Sequence, residues 1–288
     1  MKGVLAATDF STRSQRAVRR AGLIARQAGA ALTLLHIVDE DRPERLVELE
    51  QAEARKILDE QVASIPELRG VECRTIVATG AAHDAILRAA GAISADLIVM
   101  GTHRKQLLRD IFVGTTIERV IRCGTWPVLM VNTQALRPYA NVLVAADLSD
   151  ASAAALRAAH ALGFLAASRV TIMHAYEAMA KPKMLLADVP KDKIDAYVEE
   201  ERQRSLAELD AFIASLPFDP GPWTPHVVEG EAPSAISEAV QALSPELLVV
   251  GTHGRSGAAK ILLGSVAEQV LRALEIDILA VPRAAAHG

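Results

Sequence analysis

Lys2-Gly-Val-Leu-Ala-Ala-Thr-Asp9-Phe-Ser11 and Ala140-Asn-Val-Leu-Val-Ala-Ala-Asp147-Leu-Ser149 are one pattern met twice: an apolar run, an acid, then a serine two residues on. An apolar run without polar alternation reads as a strand buried on both faces. A serine just beyond it reads as the N-cap of a following helix. Thr33-Leu-Leu-His36 returns as Thr171-Ile-Met-His174 at the same spacing of 138 residues. Asp96-Leu-Ile-Val-Met-Gly101-Thr-His103 returns as Glu246-Leu-Leu-Val-Val-Gly251-Thr-His253, and Gly114-Thr115 as Gly264-Ser265, now 150 apart. The 12 added residues belong in the stretch 177–195, which holds Lys181-Pro182-Lys183 and Pro190. A repeat of this length is a domain rather than a solenoid unit. The reading is two tandem domains, 1–133 and 139–283, parted by a short polar segment containing Pro138.

In the first half, strands are expected at 3–7, 31–38, 72–78, 97–100 and 128–131, with helices at 13–28, 45–64, 82–94 and 116–122. Strands alternating with helices imply an α/β fold whose parallel sheet is covered on both faces. The second half repeats the order, with strands at 142–146, 247–250 and 278–281 and a helix at 266–274. Its charge-rich helix, 192–210, reads as a solvated face.

Composition narrows the function classes. The 288 residues are 51% hydrophobic and 23% charged, with a net charge of −4, which suits a folded chain without general affinity for nucleic acid or an anionic membrane. Aromatic residues make up 3%, too few for a single-strand stacking platform. Cys73 and Cys123 make no disulfide framework and no zinc spacing, which fits a reducing, cytoplasmic setting. The most apolar region, 151–167, is broken by Arg157 and His160, so no membrane span is expected, and the first apolar run is too short for a signal peptide.

The chemistry-bearing residues sit at the carboxyl ends of the expected strands, where open parallel sheets bind ligands. Gly251-Thr-His-Gly254 is followed by nine residues and then Gly264-Ser265-Val266. Glycines let backbone amides approach a phosphate with no Cβ in the way. Gly264-Ser265 opens a helix whose free amides and dipole favour an anion, and Ser265 adds a hydroxyl. Each feature has a plainer explanation. The glycines shape a loop, and Ser265-Val-Ala-Glu268 is a capping box that serves the helix alone. Their combination, with Asp147 ending another strand, favours a phosphate site. His36, His174, His103 and His253 recur beside apolar strands and read as satisfied structural histidines. His83-Asp84 and Cys123 lack the surroundings of a catalytic group.

The spacing Gly-x2-Gly-x9-Gly-Ser, with an Asp after the first strand and a Leu-x-His type of second strand, resembles the universal stress protein family over nearly the whole chain, twice. The resemblance implies a doubly wound five-stranded parallel sheet of order 3-2-1-4-5 in each copy, Rossmann-like and similar to the adenine nucleotide alpha hydrolases. The cleft would lie between the first and fourth strands. In the family this motif belongs to ATP-binding members. Carried over, Asp147 contacts the adenosine part and Ala175 lies at the adenine edge. Gly251, Gly254, Gly264, Ser265 and Val266 hold phosphate and ribose of ATP, or of ADP or AMP, with Mg²⁺ as an optional companion. The first half keeps Asp9, Ile37, Gly101, Gly114 and Thr115 but has Arg104 in place of the second glycine. That arginine either blocks the phosphate path or contacts a phosphate itself, and the first site is expected to be weakened or empty. The expected function is a nucleotide-binding regulatory or stress-protective protein. The alternatives are a slow Mg²⁺-dependent ATPase, although no Walker A sequence is present, and a nucleotide-free scaffold. Family members often dimerise through the last strand. The resemblance therefore implies that 128–131 and 278–281 cover each other as an intramolecular pseudo-dimer, leaving a further homodimer open.

Overall fold

The computed structural model describes residues 1–102, 115–135, 137–252 and 263–282. The first half runs β1 (Gly3–Ala7), α1 (Thr12–Ala28), β2 (Ala31–Val38), α2 (Glu44–Ser64), β3 (Cys73–Thr79), α3 (Ala82–Ala92), β4 (Leu97–Gly101), α4 (Thr116–Cys123) and β5 (Val128–Val131). The second runs β6 (Asn141–Ala145), α5 (Asp150–Ala161), β7 (Arg169–Tyr176), α6 (Lys181–Leu186), α7 (Lys191–Ala214), β8 (Thr224–Glu229), α8 (Ala232–Leu243), β9 (Leu247–Gly251), α9 (Ser265–Ala273) and β10 (Asp277–Val281). Helix α6 has no counterpart in the first half and lies inside the 177–195 insertion.

Local chemistry explains the starts of the repeated units. Val4, Leu5 and Ala6 have no solvent exposure, as an unalternating apolar strand requires. Ser11 then caps α1, accepting from the N–H of Ser14 at 3.3 Å, and Ser149 caps α5 through Ser152 in the same way. Each unit also anchors its first strand with an acid. Asp96 accepts from the N–H groups of Lys2 and Gly3, and Glu246 from those of Ala140 and Asn141. Burial works to raise both carboxyls. The backbone donors outweigh it at Asp96, and those donors together with Arg137 outweigh it at Glu246, so both stay below the usual carboxylate range.

All ten strands form one sheet in the order β3-β2-β1-β4-β5-β10-β9-β6-β7-β8. Within each half every pair is parallel and the order is 3-2-1-4-5. The halves join through an antiparallel pair, with Leu279 opposite Leu129, Ile278 opposite Met130 and Ala280 opposite Val128. Helices cover both faces and enclose two apolar layers. Leu129, Val131, Leu279 and Val281 point into the layer that α1 and α5 cover. Val128, Met130, Ile278 and Ala280 point into the layer beneath α4 and α9. Neither layer is interrupted at the β5–β10 seam.

A polar knot fastens the seam at one end. Asp277, with no exposure, accepts from the N–H groups of Asn132 and Thr133 and from the hydroxyl of Thr133, each at 2.9 Å. Its second oxygen accepts from the Tyr139 hydroxyl at 2.6 Å and pairs with the Arg20 guanidinium at 3.3 Å. Arg20 also stacks over the Tyr139 ring, 4.1 Å from its centre, and donates to the carbonyl of Arg137. Burial first, then the negative charge of Asp277, pushes the Tyr139 phenol well above its ordinary range. Helix α1, the connecting segment and β10 thus meet on one carboxylate.

Candidate functional site

In each half the strand order reverses between the first and fourth strands, so a crevice opens beyond their carboxyl ends. The second-half crevice is a cavity of about 340 Å³, lined in part by Asp147, His174, Ala175, Gly251, Gly264, Ser265 and Val266. The sequence-selected residues Asp147, Ala175, Gly251, Gly264, Ser265 and Val266 therefore share one space, while Gly254 lies outside the described residues. The first-half crevice is a cavity of about 390 Å³ that brings together Asp9, Ile37, Gly101 and Thr115. Arg104 and Gly114 lie outside the described residues, as do His103 and His253. Because β5 and β10 run antiparallel, the carboxyl ends of the two halves point in opposite directions, and the cavities open at opposite ends of the sheet.

The acid is held by its own turn. Asp147 Oδ1 accepts from the N–H of Ser149 at 3.1 Å and from the hydroxyls of Ser149 and Ser152. The next residue, Leu148, has φ 61°, and its counterpart Phe10 has φ 63°. A bulky side chain in the left-handed region is strained by about 1–3 kcal/mol. Both copies carry that strain directly after the acid. In the first half Asp9 accepts from the N–H of Ser11 at 3.0 Å. Burial works to raise its carboxyl, but hydrogen bonds from Ser11, Ser14 and nearby backbone bring it below the usual value.

The histidines are structural donors at the cavity wall. Nδ1 of His174 lies 2.8 Å from the carbonyl of Ala146, and Nδ1 of His36 lies 2.9 Å from that of Thr8. A carbonyl only accepts, so Nδ1 carries the hydrogen in both rings.

The glycines differ in what they do. A Cβ on Gly101 would stand 2.7 Å from the carbonyl oxygen of Arg13 and 2.9 Å from the nitrogen of Ser14. Glycine is needed there for the first turn of α1 to pack on the end of β4. Gly264, with φ −62° and ψ 144°, has a backbone that any residue adopts, so its torsion does not require glycine. It is the N-cap of α9, and no side chain caps that helix. The plainer alternative, a capping box led by Ser265, therefore does not form. Helix α9 begins at Ser265 itself, and the N–H of Glu268 bonds the carbonyl of Gly264 at 2.9 Å. Ser265, whose hydroxyl is not used as a cap, lines the cavity with Val266 and Ala267 of the first turn of α9. Thr115 in the other half does cap its helix, accepting from the N–H of Glu118 at 3.2 Å.

Among the described residues no group of three His, Cys, Asp or Glu side chains is placed to hold a metal ion, and no helix is long and apolar enough to cross a membrane. Sequence reasoning missed Arg13, which lines the first cavity, and the Arg20–Tyr139–Asp277 knot. Asp277 standing at the head of an apolar strand was the available signal for the knot.

The model of the universal stress protein family matches residues 1–132 and again 138–282. The universal stress protein Rv2005c of Mycobacterium tuberculosis is 27% identical over 296 residues, covering 96% of this chain and 96% of its own length. The universal stress protein MJ0577 of Methanocaldococcus jannaschii is 25% identical over 152 residues, 45% of this chain and 94% of its own length. Among solved structures, a universal stress protein from Archaeoglobus fulgidus DSM 4304 superimposes with a TM-score of 0.70 at 20% identity, covering 98% of each chain.

Proposed function

The chain belongs to the universal stress protein family, and from that premise we propose that its second domain holds an adenine nucleotide, ATP foremost, in a regulatory or stress-protective role. One observation carries the reading. Gly264 and Ser265 open α9 into the Asp147 cavity with a glycine that its own torsion does not demand and a hydroxyl that the helix does not use. Free amides, a hydroxyl donor and the positive end of a helix dipole favour phosphate. The wall of Ala145, Met173, Ala175, Ile236 and Val250 is apolar enough for a flat base. A cavity of about 340 Å³ falls within the usual range for small-molecule sites.

The arrangement supports holding a nucleotide more than turning it over. Asp147 is bound by its own serines, and the Nδ1 of His174 is committed to a carbonyl. Mg²⁺, where it accompanies ATP, would be held chiefly by the phosphates, since Asp147 Oδ1 already accepts three hydrogen bonds. The β5–β10 pairing is read as the one-chain counterpart of a two-fold dimer, with like surfaces facing each other.

The direct test is to denature the purified chain and identify any nucleotide released. Replacing Gly264 with leucine should then weaken ATP binding at least tenfold in calorimetry, about 1.4 kcal/mol. Unchanged affinity would refute the assignment.

A further inference from the structure

The two halves differ in how the second strand of each passes to the long helix that follows. In the first, Asp39-Glu40-Asp41-Arg42-Pro43 joins β2 to α2 and holds no large apolar residue. In the second, the connection from β7 to α7 carries α6, none of whose residues is buried. Met179, just before it, is 72% exposed, Leu185 58% and Leu186 87%. Holding three large apolar side chains in water on one short element is unfavourable. The helix is tied at its first turn, where Pro182 costs no hydrogen bond. Lys181 Nζ pairs with both oxygens of Glu229, at 2.7 and 2.9 Å, and the Tyr197 hydroxyl accepts from the N–H of Ala180. Those ties put α6 at the rim of the second cavity. Glu229 ends β8 opposite Tyr176, which ends β7, and Ala175 and Ala232, close by in the chain, line the cavity. Among the described residues that line it, none comes from α6. The chain turns at Asp188, with φ 49°, between α6 and α7, and Leu185 and Leu186 stand next to that turn.

We infer that α6 is a lid for the second cavity, whose Leu185 and Leu186 close over the base of the bound nucleotide. This rests on reading that cavity as a nucleotide site. Met173, Ala175 and Ile236 give the cavity an apolar wall for one face of a flat ring. The other face stays wet unless something apolar covers it, and α6 brings exposed leucines to that rim. Lys181 is the fixed end of the lid, and the turn at 187–190 lets the other end move. Closure takes the leucines and the base out of water together, so ligand and closed lid favour each other. With no base bound, the leucines have nothing to cover and the lid stays open. A second copy of the chain fits the patch less well. Met179, Leu185 and Leu186 together offer far less than the roughly 800 Å² per partner that a stable interface buries, but enough to cover one ring. The first half has no such helix, so the device belongs to the second alone.

The experiment uses the full chain, with ATP and inorganic tripolyphosphate as probes in hydrogen exchange and calorimetry. Saturating ATP should slow exchange of the amides of 184–189, and tripolyphosphate, which offers no apolar surface, should not. Leu185→Ser combined with Leu186→Ser should weaken ATP binding at least tenfold and leave the affinity for tripolyphosphate unchanged. Both side chains are exposed, so the doubly substituted chain should keep its melting temperature. A wild-type chain that binds ATP without slowing those amides, or a serine pair that binds ATP as tightly, overturns the lid and leaves the second-domain reading standing. An equal loss for both probes would mean that the leucines shape the site as a whole, which also overturns the lid. So does a serine pair that breaks up an oligomer in sedimentation with ATP affinity unchanged, which assigns the leucines to a second copy. ATP binding that survives Gly264→Leu, or no ATP binding at all, overturns the second-domain reading and the lid with it.

Discussion

At the scale of single residues, Asp277 ties together segments far apart along the chain. It is fully buried, and five contacts from α1 and the connecting segment converge on it. Replacing it with alanine would leave Arg20 charged and buried and the Tyr139 hydroxyl without its acceptor. Removing one partner of a buried pair costs about 3–5 kcal/mol. Asp277→Ala should lower the urea midpoint accordingly, and an unchanged midpoint would show that solvent replaces the knot. The contrast with Asp147 shows what a sequence makes legible. Asp147 announces itself because it follows an apolar strand and precedes a cap within a few residues, and its copy at Asp9 repeats the message. The partners of Asp277 lie far from it along the chain, Arg20 and Tyr139 among them, and the repeat is no help because Pro127 stands at the matching place. For Ser265 the sequence left two readings open, a cap for its helix and a hydroxyl free for a ligand. A capping box and a free hydroxyl have the same spelling, and only the position of the first helical residue separates them.

At the scale of elements, the short strands β5 and β10 were legible as strands, but their register was not. The register places Leu129 directly against Leu279, both without exposure. A charge at either position would be buried in the layer that α1 and α5 cover, and burying an unpaired charge is among the costliest single changes. Leu129→Asp or Leu279→Asp should therefore open the seam, with fast hydrogen exchange of the amides of both strands and increased binding of an apolar dye. Fast exchange of those amides already in the wild-type protein would mean that the pair does not form in solution. The insertion was placed by arithmetic on the repeat, but its helix α6 was not foreseen. Six residues are too few for a periodic pattern to emerge, and the helix is placed by the Lys181–Glu229 ion pair and the Tyr197 hydroxyl donated onto by Ala180.

At the scale of the whole molecule, duplication merges two sheets into one, with β3 and β8 as its outer edges among the described residues. Pro225 interrupts the donors of β8, and Arg74 of β3 pairs with Glu72 just before the strand, both features that discourage edge-to-edge pairing. The opposed cavities mean that no single contact surface reaches both openings at once. The short connection between β5 and β6 has a consequence of another kind. An interface between separate chains loosens on dilution, because its formation depends on the concentration of partners. Here both strands belong to one chain, and a short tether holds them at an effective concentration on the order of millimolar. Their apolar surface then stays covered however scarce the protein becomes, and the melting temperature should not change across a hundredfold dilution followed by scanning fluorimetry. A melting temperature that climbs with protein concentration would place the pairing between molecules instead.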